Sequence, residues 1–175
     1  MPRASALAGS RSSAPPVPYR REAVTHSAKR PLTRWRAVDD CLWLELANDP
    51  AELKPSRLLI RDFLQPRGVN ARALFKVELV FEEAFTNIVR HGYDDGREHT
   101  VQTSIALAGD DVVLTFDDDG SAFNPLAVEA PAKPASLEAA RLGGLGVMLM
   151  RKYAKRIEYA REAGRNRLTV HVATR

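Results

Sequence analysis

A chain of 175 residues, 45% hydrophobic and 27% charged, is long enough to bury one sizeable core and reads as one domain with a tail. Its single cysteine, Cys41, excludes an intramolecular disulfide framework and points to a cytoplasmic protein, and no apolar run nears the about 20 residues that span a bilayer. The net charge of +4 divides unevenly: residues 1–36 hold eight Lys/Arg and one Glu, a net of +7, while residues 37–175 hold 18 Lys/Arg and 21 Asp/Glu, a net of −3. The part expected to fold therefore offers no basic face for nucleic acid.

Residues 1–36 are rich in Ala, Ser, Pro and Arg and lack periodic apolar positions. Such a stretch cannot offset the entropy of ordering itself and is expected to be a disordered basic extension. A solvated tail, a mis-assigned start and an Arg/Ser-rich targeting peptide all fit that composition. The folded domain is expected over 37–175.

A first strand is predicted at Cys41–Leu46, closed by Asn48-Asp49-Pro50. Pro55 suits the first turn of a helix that carries Leu58, Leu59, Phe63 and Leu64 and ends near Pro66-Arg67-Gly68. Asn70 is a suitable N-cap for a long helix from Ala71 to His91, with Gly92 as its stop. Strands near Thr100–Leu107 and Asp111–Phe116 form a hairpin through Ala108-Gly109-Asp110. A Pro/Ala-rich loop follows, then a helix from Gly146 to Ala154, in which Met148, Leu149 and Met150 read as core. Strands Arg156–Arg161 and Arg167–Ala173 close the chain around a turn at Ala163-Gly164-Arg165-Asn166.

Three stretches carry chemistry. On the long helix, Val77, Phe81, Ala84, Phe85 and Ile88 share an apolar face, and Glu83, Asn87, Arg90 and His91 form a polar stripe beside it. A carboxylate one turn from a carboxamide suits a general base beside a hard cation, since Asn offers Mg²⁺ a neutral oxygen. An ordinary solvated helix edge would show the same pattern. At Thr115–Pro125 a strand ends in Asp117, Asp118 and Asp119, then Gly120. Three adjacent carboxylates call for solvent, a cation or a donor-rich ligand such as the adenine amine. At Arg141–Met150, Gly143, Gly144 and Gly146 lead straight into an apolar helix, whose open N–H groups suit an anion. No Gly-Lys-Ser/Thr follows, so this is neither a Walker A loop nor a dinucleotide fingerprint.

In that order, the E-A-x-x-N helix, the D-x-G turn and the G-x-G helix start resemble the ATP-binding domain shared by gyrase, heat-shock chaperones, histidine kinases and mismatch-repair proteins. Glu83-Ala84-Phe85-Thr86-Asn87, His91-Gly92-Tyr93, Asp118-Asp119-Gly120 with Phe123-Asn124-Pro125, Gly144-Leu145-Gly146 and Gly164-Arg165-Asn166-Arg167-Leu168-Thr169 are most similar to the single-domain anti-sigma factor serine/threonine kinases of bacterial partner-switching systems. The resemblance spans about residues 38–175. It implies a Bergerat-type fold: a two-layer α/β sandwich with a mixed, mostly antiparallel sheet covered by helices on one face. It implies ATP and Mg²⁺ as cofactors, with Asn87 holding the metal and Glu83 as the base. Asp118 would take the adenine amine and Gly120 would let the nucleotide approach. Gly143, Gly144, Leu145 and Gly146 would cradle phosphate, Thr169 would sit near the adenine, and residues 126–142 would form a lid.

Two departures from the family pattern stand out. Ala122 replaces the second glycine of D-x-G-x-G; were φ positive there, Ala would cost about 1–2 kcal/mol. Lys155 follows the last helix where an acidic residue is common, a position that bears on surface or partner contacts.

The function implied is an ATP-dependent kinase that sequesters a sigma factor or similar regulator and phosphorylates a small STAS-type anti-anti-sigma antagonist. Homodimerisation is typical of the resembled family. A nucleotide-gated sequestering module without phosphotransfer is the alternative, and the presence of Glu83 favours the enzyme. A detached histidine-kinase domain is a third reading, weakened by the lack of a dimerisation helix pair bearing a phospho-acceptor His.

Overall fold

A computed structural model describes residues 34–127 and 145–175. Six strands form one sheet: β1 (Arg34–Val38), β2 (Cys41–Ala47), β3 (Thr100–Ala108), β4 (Asp111–Asp118), β5 (Arg156–Glu162) and β6 (Arg165–Ala173). Three α-helices accompany them: α1 (Leu53–Leu64), α2 (Ala71–His91) and α3 (Leu145–Tyr153). The strand order is β1-β2-β3-β4-β6-β5, and every pairing is antiparallel. No parallel pair occurs among the described strands, so the sheet is antiparallel throughout rather than mostly so.

Strand alternation makes the two layers. Leu42, Leu44 and Leu46 of β2, Val101 and Ile105 of β3, Val112, Leu114 and Phe116 of β4, and Leu168, Val170 and Val172 of β6 are all buried on one face. The helices cover that face. Helix α2 lays Val77, Val80, Phe81, Ala84 and Phe85 into the core, where Phe81 stacks on Phe85 at 5.8 Å and meets Phe116 at 5.9 Å. Its start is held as expected: Asn70 Oδ1 accepts from the Ala73 amide at 3.0 Å.

Three expectations need correction. The fold begins by Arg34, inside the stretch assigned to the extension, because Trp35 packs against the core and Arg36 lies 5.2 Å over the Trp43 ring. Residues 1–33, the rest of that assignment, lie outside the described residues. Met148 is 40% exposed rather than core, and only Met150 of that pair is buried. The last turn is also tighter than predicted. Ala163 and Gly164 adopt φ of 50° and 79°, so β6 starts at Arg165 and sets Asn166 opposite Asp118. Among the described residues no helix is long and apolar enough to cross a membrane.

Candidate functional site

The polar stripe of α2 meets the N-terminus of α3. Among the described residues Asn87 Nδ2, shut off from solvent, has no hydrogen-bond partner, which is a costly state for a buried amide. Gly146, in the first turn of α3, allows the close approach. A Cβ there would run into Glu83 Oε2 and lie 3.7 Å from Asn87 Nδ2. Glu83 is half-buried, and burial pushes its carboxyl pKa up; Glu82 adds to the rise and Arg90 opposes it. A carboxylate with a raised pKa is a stronger proton acceptor. Leu145 begins α3; Gly143, Gly144 and residues 128–142 of the expected lid lie outside the described residues.

The acidic turn lines a cavity that Asn87 also lines. Asp118 is the last residue of β4 and only 4% exposed. Burial drives its pKa upward, partly offset by hydrogen bonds from Asn166 and the Gly120 amide. Both of those bonds fall on Oδ1, at 2.8 Å from Asn166 Nδ2 and 2.9 Å from Gly120 N. Oδ2 is thereby left to accept from a ligand donor. Gly120 is required by a neighbouring backbone: a Cβ would sit 2.6 Å from the Gly92 carbonyl oxygen and 2.9 Å from Asp118 Oδ1. The same Gly92 oxygen accepts from the Ser121 amide at 2.7 Å, so the end of α2 and the acidic turn are locked together. Gly92 itself has φ −79°, so it ends α2 through this packing and not through a left-handed cap.

The turn departs from D-x-G-x-G without strain, because Ala122 is not among the residues with positive φ. The cost considered for that position does not arise. Lys155 Nζ pairs with Asp111 Oδ2 at 2.9 Å, so this departure ties the end of α3 to the start of β4.

Thr169 is not in the cavity. It lies between buried Leu168 and Val170 and opposite Thr115 and Glu158, so alternation turns its side chain to the sheet face away from the helices. Asn166 takes the place expected of it. Its side chain is 5% exposed, donates to Asp118, and accepts from Tyr159 Oη at 2.7 Å and Arg161 Nη1 at 2.6 Å. Arg161 also donates to the Gly120 carbonyl at 3.0 Å. These residues were missed in the sequence, although 166, 168, 170 and 172 share one parity with the buried apolar positions of β6. Asn87, Asp118, Met150, Tyr159, Asn166 and Leu168 line one cavity. Arg151 of α3 donates to the carbonyls of Pro125 and Leu126 at 2.8 and 2.9 Å, and so anchors the segment that leaves the acidic turn.

Among the described residues no three His, Cys, Asp or Glu side chains are grouped to hold a metal. A hard cation beside Asn87 would need a bound ligand to bring most of its oxygens, as Mg²⁺ does on phosphates. Asn87 could meet it only through its amide oxygen, since the unpartnered atom, Nδ2, is a donor.

Comparison with known proteins bears on the fold and the family. The family model described as a histidine kinase-like ATPase domain matches residues 46–172. The chain is 29% identical over 146 residues to the serine/threonine-protein kinase BtrW of Bordetella bronchiseptica, covering 83% of this chain and 92% of that protein. A solved structure of the RsbU and RsbW domains of Rv1364c from Mycobacterium tuberculosis superposes with a TM-score of 0.56 at 18% identity, over 80% of this chain. This chain spans 33% of that longer one, and the likeness at that identity is one of fold.

Proposed function

The chain belongs to the histidine kinase-like ATPase domain family, and we propose that it is an ATP-dependent protein serine/threonine kinase that also sequesters a regulatory partner. The observation that carries the reading is the meeting of Glu83, Asn87 and the Gly146 backbone, with Asp118 in the cavity that Asn87 also lines. A protein that only bound nucleotide would need no half-buried base beside the phosphate end of the site.

In this reading Asp118 Oδ2 accepts from the adenine amine, and Asn166 fixes the other oxygen of that carboxylate. Asn87 would hold Mg²⁺ through its amide oxygen, and the ion would neutralise phosphate charge there. The α3 N-terminus offers amides to phosphate. Glu83 takes the proton of the attacking Ser or Thr hydroxyl as its oxygen bonds to the γ-phosphorus and the bond to the bridging oxygen breaks, releasing ADP. The resemblance to anti-sigma factor kinases adds the partners: a STAS-type antagonist as phosphoacceptor and a sigma factor or similar regulator as the sequestered target. Homodimerisation belongs to the same reading.

Phosphotransfer tests it. The full chain is incubated with γ-labelled Mg-ATP and an extract of its own cells, beside Glu83→Gln. One small protein labelled by wild type alone, with acid-stable label, is the expected result. ATP binding without any label would leave the nucleotide-gated sequestering module in its place.

A further inference from the structure

The flank of α2 beside the end of α3 carries an aromatic that the core does not bury. Phe75 is 58% exposed, the most exposed of the large hydrophobic side chains among the described residues. Tyr153, the last residue of α3, meets it edge-on at 6.4 Å, and Lys152 Nζ lies 5.5 Å from the Tyr153 ring centre. Phe75, half-buried Leu79 and Glu83 follow one another at i, i+4 and i+8 along α2. Helix α3 lies beside them with Tyr153 at Phe75 and Gly146 at Glu83, so an apolar ridge leads along the α3 side of α2 toward the base. Arg72 and Lys76 stand at the same end of α2. Among the described residues neither they nor Lys152 has a carboxylate partner, whereas Arg57 and Arg61 of α1 are held by Glu78 and Glu82.

An exposed aromatic framed by three unpaired cations is complementary to an apolar residue set among acidic ones. We propose that this ridge docks an acidic, apolar-centred surface segment of the protein whose hydroxyl receives the phosphate. The identity of the partner as phosphoacceptor rests on the kinase reading; the surface itself does not. Eight helical residues separate Phe75 from Glu83, about 12 Å along the axis. The acceptor hydroxyl therefore lies about 12 Å from the residue that covers Phe75, the reach of three to four extended residues. A partner that grips the ridge is aligned before its hydroxyl reaches the base, so the ridge sets KM and leaves the chemical step alone.

The test places the photocrosslinker p-benzoylphenylalanine at position 75 of the full chain, or at position 43 on the opposite sheet face, and irradiates each in an extract of its own cells. The expected result is an adduct from position 75 through a peptide of net negative charge, absent from position 43 and reduced about tenfold by Arg72→Glu with Lys76→Glu. No adduct, a neutral or basic peptide, a second copy of this chain, or an adduct indifferent to charge reversal would overturn the proposal. Where transfer to an acceptor is measurable, the charge reversal is expected to raise its KM about tenfold with kcat kept, and Trp43→Ser to change neither. An unchanged KM would remove the docking role while leaving the kinase intact. An acidic, charge-sensitive adduct without any transfer would keep the surface and remove the kinase.

Discussion

Asp118 and Asn166 show how a single buried contact shapes a candidate ligand site. A carboxylate 4% exposed gives one oxygen to two protein donors, and the proposed function assigns the other to the adenine amine. Thr103 is the contrasting case: it is 1% exposed in the middle of β3, and its hydroxyl has no hydrogen-bond partner. Thr103→Val removes an unsatisfied buried group at nearly constant volume and is expected to stabilise by about 1 kcal/mol. Thermal melts should rise by about 2–4 °C; a lower Tm would mean that the hydroxyl is partnered. Residue positions were legible where one local period governs them. Glu83 and Asn87 one helical turn apart, and Asp118 at a strand end, were readable because helix and strand spacing decide their neighbours. Asn166 was not, since its importance comes from lying opposite Asp118, a pairing across 48 residues of chain.

At the scale of elements, the close seat of α3 on α2 depends on Gly146. Gly146→Ala favours the helix intrinsically by about 0.5–1 kcal/mol, yet its methyl must displace Glu83. Melting temperature is expected to hold while phosphotransfer falls about a hundredfold, the effect of a displacement near 1 Å at a reacting group. Transfer at the wild-type rate would contradict the positioning of Glu83 by α3. The connection from α2 to β3 makes a second prediction. His99 lies between Asp95 at 3.1 Å and Asp119 at 3.3 Å and stacks on Tyr93 at 4.2 Å. The Asp95 hydrogen bond, joined by Asp119, raises the imidazole pKa against partial desolvation. A pKa raised in the folded state gives stability that is complete below the unfolded value, near 6.5, and lost as pH climbs through the folded one. Protection of the Ser121 amide, bonded to Gly92 in this segment, should fall over that window after correction for intrinsic exchange. His99→Gln should abolish the dependence; an unaltered profile would place its cause elsewhere.

At the scale of the whole molecule, hairpin turns and strand alternation made the two-layer class readable. The placement of β5 outside β6 was not, because it depends on contacts far apart in sequence. β1 was also hidden: Arg34-Trp35-Arg36-Ala37-Val38 resembles its charged surroundings, and its ladder to β2 with Trp35 seated against the core makes it part of the sheet. The assembled layers bring Asn87 of α2 and Asp118 at the end of β4 to one cavity, with the start of α3 against Glu83, and the proposed function requires nucleotide binding there. The most direct measurement is calorimetric titration of the full chain with Mg-ATP beside Asp118→Asn. Wild type is expected to bind and the variant, melting normally, to lose binding, because Asn still accepts at one atom but presents a donor to the adenine amine. Equal affinity of the two proteins for Mg-ATP would contradict it.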